Sequence, residues 1–261
     1  MSVHPIAAVI MAAGKGKRML NPNMSKVMYS LAGIPMIDHV VACTKQFGAQ
    51  RIIVIVGHQR EALMEHLRKN DSSMEFAVQA EQLGTGHAIM QTEALLANFI
   101  GDIVVLSGDV PLLRAATVEQ LLRHHRESHA VVTVLTTMLP DPSGYGRIVR
   151  AGNGSITRIV EHKDASEHEL RIQEINSGIY VFQSKPLFQG LQKITNTNAQ
   201  GEYYLTDVFE IFSREGLRME PFVVDSFDEI RGVNTKEQLE ELEKIYFQRY
   251  NEPTYAGTNL Q

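Results

Sequence analysis

Short apolar runs alternate with longer amphipathic stretches through the first half of the chain. Runs rich in β-branched residues predict strands at residues 6–11, 51–56, 75–79, 102–107 and 130–137. Between them, apolar residues recur at helical spacing over residues 36–47, 59–68, 85–99 and 117–127. This alternation predicts a mainly parallel sheet covered by helices on both faces. In such sheets ligands bind beyond the carboxyl ends of the strands, so we expect a functional site there.

The pattern changes after Pro140. The sequence GYGRIVRAGNGSITRIVEH predicts a hairpin whose two strands flank a Gly-Asn-Gly turn. Beyond it the pattern predicts, in order, a strand at 174–182, a helix near 205–214, a strand near 220–224 and a helix from about 235 to 250. No proline- or serine-rich linker separates the two halves. We therefore expect one α/β domain whose second half supplies a lid or a substrate subsite.

Composition narrows the range of partners. The 261 residues carry a net charge of −5, which argues against non-specific nucleic-acid binding because such binding rests on a net basic face. The single cysteine, Cys43, permits no internal disulfide and is expected to be a small core residue. No apolar run approaches the ~20 residues of a membrane span, and the first residues lack the features of a signal peptide. We therefore expect a cytoplasmic protein that binds neither membrane nor nucleic acid.

The first predicted strand ends in a loop that combines glycines with cations. In VIMAAGKGKRM, Met19 stands where a dinucleotide-binding G-x-G-x-x-G has its last glycine, and the P-loop pattern is absent. A glycine turn can still present backbone N–H groups to an anion, and Arg18 and Lys26 add positive charge nearby. The loop therefore predicts a phosphate site, the alternative being an ordinary βα turn with solvated cations.

Two further motifs fall at the same edge of the predicted sheet. Gly84, Thr85 and Gly86 precede a helical run and could bind an anion, although Thr85 could equally be a simple N-cap. Asp109 follows an apolar strand and could hold Mg²⁺ against a nucleotide phosphate, although it could equally cap the next turn. Together the three motifs indicate a nucleoside triphosphate site with a metal.

A series of short motifs carries a family resemblance. In chain order they are MAAGKGKRM, SKVM, QAEQLGTGHA, GDVPL, GYGRIVR, VEHKDA, EINSGIY, EYYLTD and GVNT. From Ala7 to about Leu242 the chain resembles the uridylyltransferase (pyrophosphorylase) domain of bacterial bifunctional N-acetylglucosamine-1-phosphate uridylyltransferase/glucosamine-1-phosphate acetyltransferase. The resemblance implies the Rossmann-like nucleotide-diphospho-sugar transferase fold. It also implies Mg²⁺-dependent transfer of UMP from UTP to N-acetylglucosamine 1-phosphate, with release of pyrophosphate.

The same resemblance implies a role for each matching residue. The implied residues are Ala12, Gly14, Gln79, Gly84 and Thr85 for the nucleotide, Arg18 and Lys26 for catalysis on the phosphates, Gly146, Glu161 and Asn176 for the sugar, and Asp109 and Asn234 for Mg²⁺. The implied domain covers 1–234, with nucleotide binding in 1–139 and sugar binding in 140–234, before a C-terminal helix and tail over 235–261. The amide of Gln79 can flip to match uracil or cytosine, so we expect fixed backbone groups near Ala12 to decide the base.

The chain departs from the family pattern at several positions. Met11 stands in place of leucine, Ser25 in place of proline and Ser177 in place of threonine. Ser107 replaces an aromatic residue, which weakens one wall of the expected pocket and leaves the sugar selectivity open. The stretch LNPNMS is one residue longer than usual and leaves the position of the following lysine open.

Alternative functions stay open at this point. The substrate could be another sugar 1-phosphate, such as glucose 1-phosphate, or the chain could be a nucleotide-sugar sensor without activity. Two cations and two metal-binding residues favour an enzyme, because a sensor needs neither a metal nor charge neutralisation at the α-phosphate. The chain contains no hexapeptide repeats, so we expect no acetyl transfer from it. The oligomeric state is not predicted.

A histidine pair offers a second candidate metal site. His125 and His129 have the i, i+4 spacing of a helical zinc pair, but Arg126 stands where an H-E-x-x-H motif has its glutamate, and there is no obvious third ligand. We therefore expect them to lie on a solvated helix face.

Overall fold

The computed structural model describes residues 4–14, 16, 19 and 24–251. In this part of the chain the strands are β1 (Ile6–Ala12), β2 (Ser30–Leu31), β3 (Ile34–Pro35), β4 (Arg51–Val56), β5 (Glu75–Val78), β6 (Asp102–Ser107), β7 (Val132–Met138), β8 (Arg147–Arg150), β9 (Ile156–Val160), β10 (Glu174–Gln183) and β11 (Met219–Val223). The helices are α1 (Met36–Gln46), α2 (Arg60–Asn70), α3 (Thr85–Met90), α4 (Glu93–Leu96), α5 (Ala115–Ser128), α6 (Ser184–Leu191), α7 (Asp207–Arg214) and α8 (Lys236–Asn251). The predicted alternation of strands and helices is confirmed, apart from two helical segments and the short strands β2 and β3.

The main sheet has nine strands within the described residues, with the side-by-side order β11-β7-β10-β6-β1-β4-β5. Strand β1 is parallel to β4 and β6, β4 is parallel to β5, and β7 is parallel to β11. Strand β10 is antiparallel to both β6 and β7, and it also carries β8, which pairs with β9 as the predicted hairpin. The predicted mainly parallel sheet is confirmed. The direction of β10 does not follow from the sequence, because a buried strand shows the same apolar run in either direction.

The reversal of β10 brings its first residues to the carboxyl edge of the sheet. Asn176 pairs with Thr136 near the end of β7, whereas Gln183 pairs with Asp102 at the start of β6. A residue early in β10 can therefore contribute to the same site as residues that follow β1 and β6.

Both faces of the sheet are apolar and covered. Along β1, Ile6, Ala8 and Ile10 belong to one buried cluster, while Ala7 and Val9 belong to the other, as the two-residue period of a strand requires. Helices α1, α2 and α5 contribute to the first cluster, and α3, α4, α6 and α7 contribute to the second. The prediction of helices on both faces is confirmed.

Helix α8 packs outside the main sheet. Its Leu242 lies in a small buried cluster with Leu31, Leu112 and Val233. The amide of Val233, in the loop before α8, donates to the carbonyl oxygen of Asp109 at 2.9 Å and so joins this loop to the loop after β6. Among the described residues, no helix combines the length and the apolar character that a membrane crossing would require.

Two helical segments differ from the prediction. The region 85–99 forms two helices, α3 and α4, and between them the hydroxyl of Thr92 donates to the carbonyl of Ile89 at 2.7 Å. Such a local bond competes with continuation of a helix. Helix α6 lies outside the predicted elements, because Pro186 and Gly190 weaken its sequence pattern although proline is tolerated in a first turn.

Cys43 and His125 are both core residues. Cys43 is buried, and that burial raises the pKa of its thiol to about 12, so its predicted core position is confirmed. The predicted solvated face is wrong for His125, which is 2% exposed and places Nδ1 2.9 Å from the hydroxyl of Thr133. His129 is exposed just beyond α5. In the described ranges no three His, Cys, Asp or Glu side chains are grouped as metal ligands.

Candidate active site

A cavity of about 260 Å³ opens beyond the carboxyl ends of β1, β5 and β6. Several residues with a role implied by the family resemblance lie in its walls: Ala12, Gly14, Lys26, Gln79, Gly84, Thr85 and Asp109. They come from segments that follow three different strands. The structure therefore brings the three sequence motifs together at the edge where ligands of such sheets bind.

The glycine loop after β1 lies against Lys26. Gly16 has a φ of +55°, and a Cβ atom at this position would come within 2.9 Å of the Lys26 Cβ. Both the backbone conformation and the close approach require glycine here. The lysine whose position the sequence left open thus lies in the cavity wall. Arg18, the other cation with a predicted catalytic role, lies outside the described residues.

Lys26, Asp109 and Asn234 meet at the cavity although they lie far apart in the sequence. The Lys26 ammonium forms an ion pair with Asp109 Oδ2 and lies 3.2 Å from Asn234 Oδ1. Two hard oxygen donors thus converge on a position that is taken by a cation, the lysine ammonium. This donor set fits Mg²⁺, which binds through one or two carboxylates and completes its coordination with water and substrate phosphates.

Backbone bonds fix the loop that carries Asp109. The amide of Gly108 donates to the carbonyl of Met11 at 3.0 Å, and the carbonyl of Asp109 accepts from Val233 at 2.9 Å. The second carboxylate oxygen of Asp109, Oδ1, accepts a hydrogen bond of 2.7 Å from the hydroxyl of Ser107. Both carboxylate oxygens are therefore occupied by donors in this structure.

Gln79 is only 4% exposed, and its amide is held in one orientation. Its Nε2 donates to the carbonyl of Gly84 at 3.0 Å and lies 3.2 Å from His87 Nδ1. Because a backbone carbonyl can only accept, the amide nitrogen must face Gly84. The expectation that this amide is free to flip is wrong, and the remaining amide atom is the acceptor Oε1.

The segment 202–206 lies directly against the start of α3. The amide of Gly86 donates to the carbonyl of Tyr203 at 2.8 Å, and Leu205 N donates to the Thr85 hydroxyl at 3.0 Å. Gly84 has a φ of +110°, and a Cβ atom there would collide with the backbone of Tyr203. The N-cap of α3 is Gly84 itself, so the alternative interpretation of Thr85 as a simple N-cap is wrong.

Gly146, Glu161 and Asn176 also lie together. A Cβ atom at Gly146 would be 3.5 Å from both Glu161 Oε2 and Asn176 Cβ, and Asn176 N donates to Gly146 O at 2.9 Å. Glu161 Oε1 accepts from the hydroxyl of Thr206 at 2.9 Å. Burial raises the pKa of Glu161, and the Thr206 hydrogen bond acts in the opposite direction. The three residues with a predicted sugar-binding role therefore form one polar cluster.

Sequence reasoning gave no role to the residues of EYYLTD. In the structure Glu202 lines the cavity, Thr206 binds Glu161, and Asp207 begins α7. Burial, together with the negative charges of Glu161 and two further carboxylates, raises the pKa of Asp207 to about 6. The signal that could have found them is the presence of EYYLTD among the motifs of the family resemblance, because Thr206 and Asp207 alone are also typical of an ordinary helix start.

The family model described as nucleotidyl transferase matches residues 7–229 of the chain. The chain belongs to this family. "Bifunctional protein GlmU" of Bacillus cereus (strain G9842) is 48% identical to this chain over 244 residues, which are 94% of this chain and 52% of that protein. The protein of the same name from Bacillus cytotoxicus is 49% identical over the same shares. These relatives confirm the predicted resemblance. The chain spans about half the length of the curated relatives it matches.

A solved structure described as "The Crystal Structure of UDP-glucose pyrophosphorylase complexed with UDP-glucose" shares the fold of this chain. The TM-score is 0.76 at 18% sequence identity, and the match covers 94% of this chain and 99% of that chain. At this identity the likeness shows the fold alone. The expected Rossmann-like α/β class is confirmed.

Proposed function

We propose that this chain transfers UMP from UTP to N-acetylglucosamine 1-phosphate, yielding UDP-N-acetylglucosamine and pyrophosphate. The observation that carries the proposal is the cavity in which Asp109 and Asn234 converge on one cation position beside Gln79 and Gly84. The identity of nearly half of its residues with bifunctional GlmU proteins supports the same assignment.

The orientation of Gln79 supports a uracil base. Its Oε1 is an acceptor, which complements the N3–H donor of uracil, whereas cytosine presents an acceptor at N3. Ala12 and Gly14 border the same cavity and offer backbone groups whose direction is fixed. Gly84 and Thr85 complete the nucleotide pocket at the start of α3.

The transfer needs neither a protein nucleophile nor a general base, because the attacking phosphate oxygen of the sugar 1-phosphate is already an anion. The main obstacle is repulsion between this anion and the phosphates of UTP. Lys26 and Arg18 lower it by placing positive charge against the phosphates. When held by Asp109 and Asn234, Mg²⁺ supplies further neutralisation of phosphate charge.

The polar cluster of Gly146, Glu161 and Asn176 orients the sugar. Glu161 accepts hydrogen bonds from sugar hydroxyls, and the absence of a side chain at Gly146 avoids a close contact with Ile159 beside this carboxylate. Orientation of this kind lets the sugar phosphate approach the α-phosphorus of UTP in line. We accordingly assign nucleotide binding to residues 1–139 and sugar binding to 140–234, with 235–261 as a C-terminal helix and tail. We also place this reaction in the cytoplasm, where a free thiol such as that of Cys43 stays reduced.

Pyrophosphate release tests the proposal directly. Each nucleoside triphosphate is paired with each sugar 1-phosphate, and we expect the highest kcat/KM for UTP with N-acetylglucosamine 1-phosphate. A higher kcat/KM with glucose 1-phosphate would show that glucose 1-phosphate, and not N-acetylglucosamine 1-phosphate, is the preferred substrate. Binding of UDP-sugars with no pyrophosphate release from any pair would indicate a sensor instead.

Metal removal and the metal-binding residues form the second part of the test. Activity should vanish in a chelator and return with excess Mg²⁺. Asp109→Ala should nearly abolish turnover while circular dichroism shows an intact fold, because the residue lies at the edge of the sheet. Asn234→Ala should be milder, since water can replace a neutral ligand. Full activity in the chelator, or ordinary turnover by Asp109→Ala, would contradict this mechanism.

A further inference from the structure

We propose that Ser107 is a positioning residue for the metal site, which it serves by orienting the carboxylate of Asp109. The inference rests on the proposed function, because it takes Asp109 as a metal ligand. Ser107 is the last residue of β6 and lines the cavity with Asp109.

The contacts of Asp109 divide its two carboxylate oxygens between two donors. Oδ1 accepts from the Ser107 hydroxyl at 2.7 Å, and Oδ2 pairs with the Lys26 ammonium. The same ammonium lies 3.2 Å from Asn234 Oδ1. The Ser107 bond therefore turns Oδ2 toward the position where the second oxygen donor converges.

The backbone makes this arrangement rigid. Ser107 pairs with Met11 in the sheet, Gly108 N donates to Met11 O at 3.0 Å, and Asp109 O accepts from Val233 N. With the backbone fixed at both ends of the turn, the remaining freedom of Asp109 is rotation of its side chain. The Ser107 hydroxyl removes that freedom, so the carboxylate offers one oxygen to a cation.

A hydrogen bond to a ligating carboxylate raises metal affinity, and its loss typically costs about 10–100-fold in affinity or activity. Ser107→Ala should therefore weaken metal binding by roughly this factor. Because the defect lies in metal affinity, turnover should recover toward the wild-type kcat as Mg²⁺ is raised. Ser107→Thr keeps the hydroxyl and should bind the metal nearly as well as the wild type.

Equilibrium binding of Mn²⁺ measures this without relying on activity. Mn²⁺ is titrated into the protein alone and with UTP, and free Mn²⁺ is read by electron paramagnetic resonance against a UTP-only blank. Ser73→Ala is the matched control, because Ser73 donates to Asp71 Oδ1 at 2.6 Å across the same two-residue separation on the exposed surface. This control should leave the Mn²⁺ Kd unchanged.

The outcomes separate the two ideas. An unchanged Mn²⁺ Kd in Ser107→Ala, or a wild type that binds no Mn²⁺, overturns the role of Ser107. A raised KM for UTP or sugar phosphate at saturating Mg²⁺, with unchanged Mn²⁺ affinity, shows that Ser107 contacts substrate instead. Failure of the wild type to release pyrophosphate refutes the proposed function, whereas the ratio of Mn²⁺ Kd values still decides on Ser107.

Discussion

Glu161 accepts a hydrogen bond from Thr206 at Oε1, and its Oε2 lies beside Gly146, 3.5 Å from the position that a Cβ atom would take there. This leaves one carboxylate oxygen for a ligand in a cluster that is otherwise saturated by internal bonds. Asn176 shows the contrast, because its Nδ2 donates to the Tyr180 hydroxyl and its Oδ1 accepts from a backbone amide. At the scale of single residues, Glu161 therefore carries the sharper prediction for the sugar site.

Glu161→Ala should raise the KM for the sugar 1-phosphate far more than the KM for UTP. Loss of a charge-assisted hydrogen bond costs about 1.5–3 kcal/mol, or roughly one to two decades in affinity. Steady-state kinetics with each substrate varied in turn measures both constants. Glu215→Ala, which removes an exposed carboxylate paired with Lys193, should leave both KM values unchanged. A weakened UTP site with an unchanged sugar KM would refute the assignment.

The ionised carboxylate of Asp207 should lower the stability of the protein at pH values above the pKa of this residue. Burial and neighbouring carboxylates raise the pKa of Asp207 from 3.8 to about 6, so the folded state holds this proton more tightly than the unfolded state. Its stabilising contribution is therefore fully present below about pH 4 and is lost as the pH rises through about 6. We predict that Asp207→Asn has a higher Tm than the wild type at pH 8 and that the difference disappears at pH 4.

Asp71→Asn provides a control of opposite sign. Hydrogen bonds from Lys45 and Ser73 hold the pKa of Asp71 well below its usual value, so its carboxylate stabilises the fold at neutral and higher pH. This variant should lower the Tm at pH 8. A lower Tm for Asp207→Asn at pH 8 would show that its charge at the start of α7 outweighs the cost of burial.

At the scale of elements, the segment 202–206 connects the start of α3 to the candidate sugar site. On one side of this segment the carbonyl of Tyr203 accepts a hydrogen bond from Gly86 N. On the other side the hydroxyl of Thr206 donates to Glu161. The contact depends on the absence of a side chain at Gly84. Backbone geometry at one residue thus determines how two distant segments meet.

Gly84→Ala should therefore damage both stability and nucleotide binding. Gly48→Ala is the matched control, since Gly48 also has a positive φ, +81°, but has no atom within 4 Å of a Cβ position. The control should lose only the ~1–2 kcal/mol of stability that a non-glycine residue costs in the left-handed conformation, which lowers the Tm by roughly 2–8 °C. Gly84→Ala adds a collision with Tyr203, so its Tm should fall further and its UTP affinity should drop. If the two variants lost the same Tm and Gly84→Ala bound UTP normally, the close contact between Gly84 and Tyr203 would be contradicted.

The sequence predicts local periodicity well and long-range pairing poorly. The bounds of β4 and β6 follow from uninterrupted β-branched runs and agree with the structure. The reversed direction of β10 and the fixed amide of Gln79 depend on contacts with residues distant in the chain. Asp109 and Asn234 could be paired only through the family resemblance, because no local pattern links positions that lie so far apart.

At the scale of the whole molecule, ligand binding should stabilise one cooperative unit. A ligand present at about 100 times its Kd adds about 2.7 kcal/mol to the free energy of unfolding. UTP with Mg²⁺ at that level should therefore raise the Tm by roughly 5–10 °C in a single transition. Differential scanning calorimetry measures the shift, and Asp109→Ala should reduce it. If calorimetry showed two unfolding transitions and the ligand raised the Tm of only one, the two halves of the chain would unfold separately.

The central position of β10 also has a consequence for synthesis on the ribosome. Strand β6 emerges with one edge paired to β1, but its other edge waits for β10, which ends at Gln183. Strand β7 pairs with β10 and β11 and has no contact with β6 in the sheet. At about 5–20 residues per second, the nascent chain therefore carries an open strand edge for roughly four to fifteen seconds after Ser107. An open apolar edge is where other nascent chains or chaperones pair. Folding of the sheet therefore cannot finish until translation has passed Gln183, well beyond the strands that border the cavity.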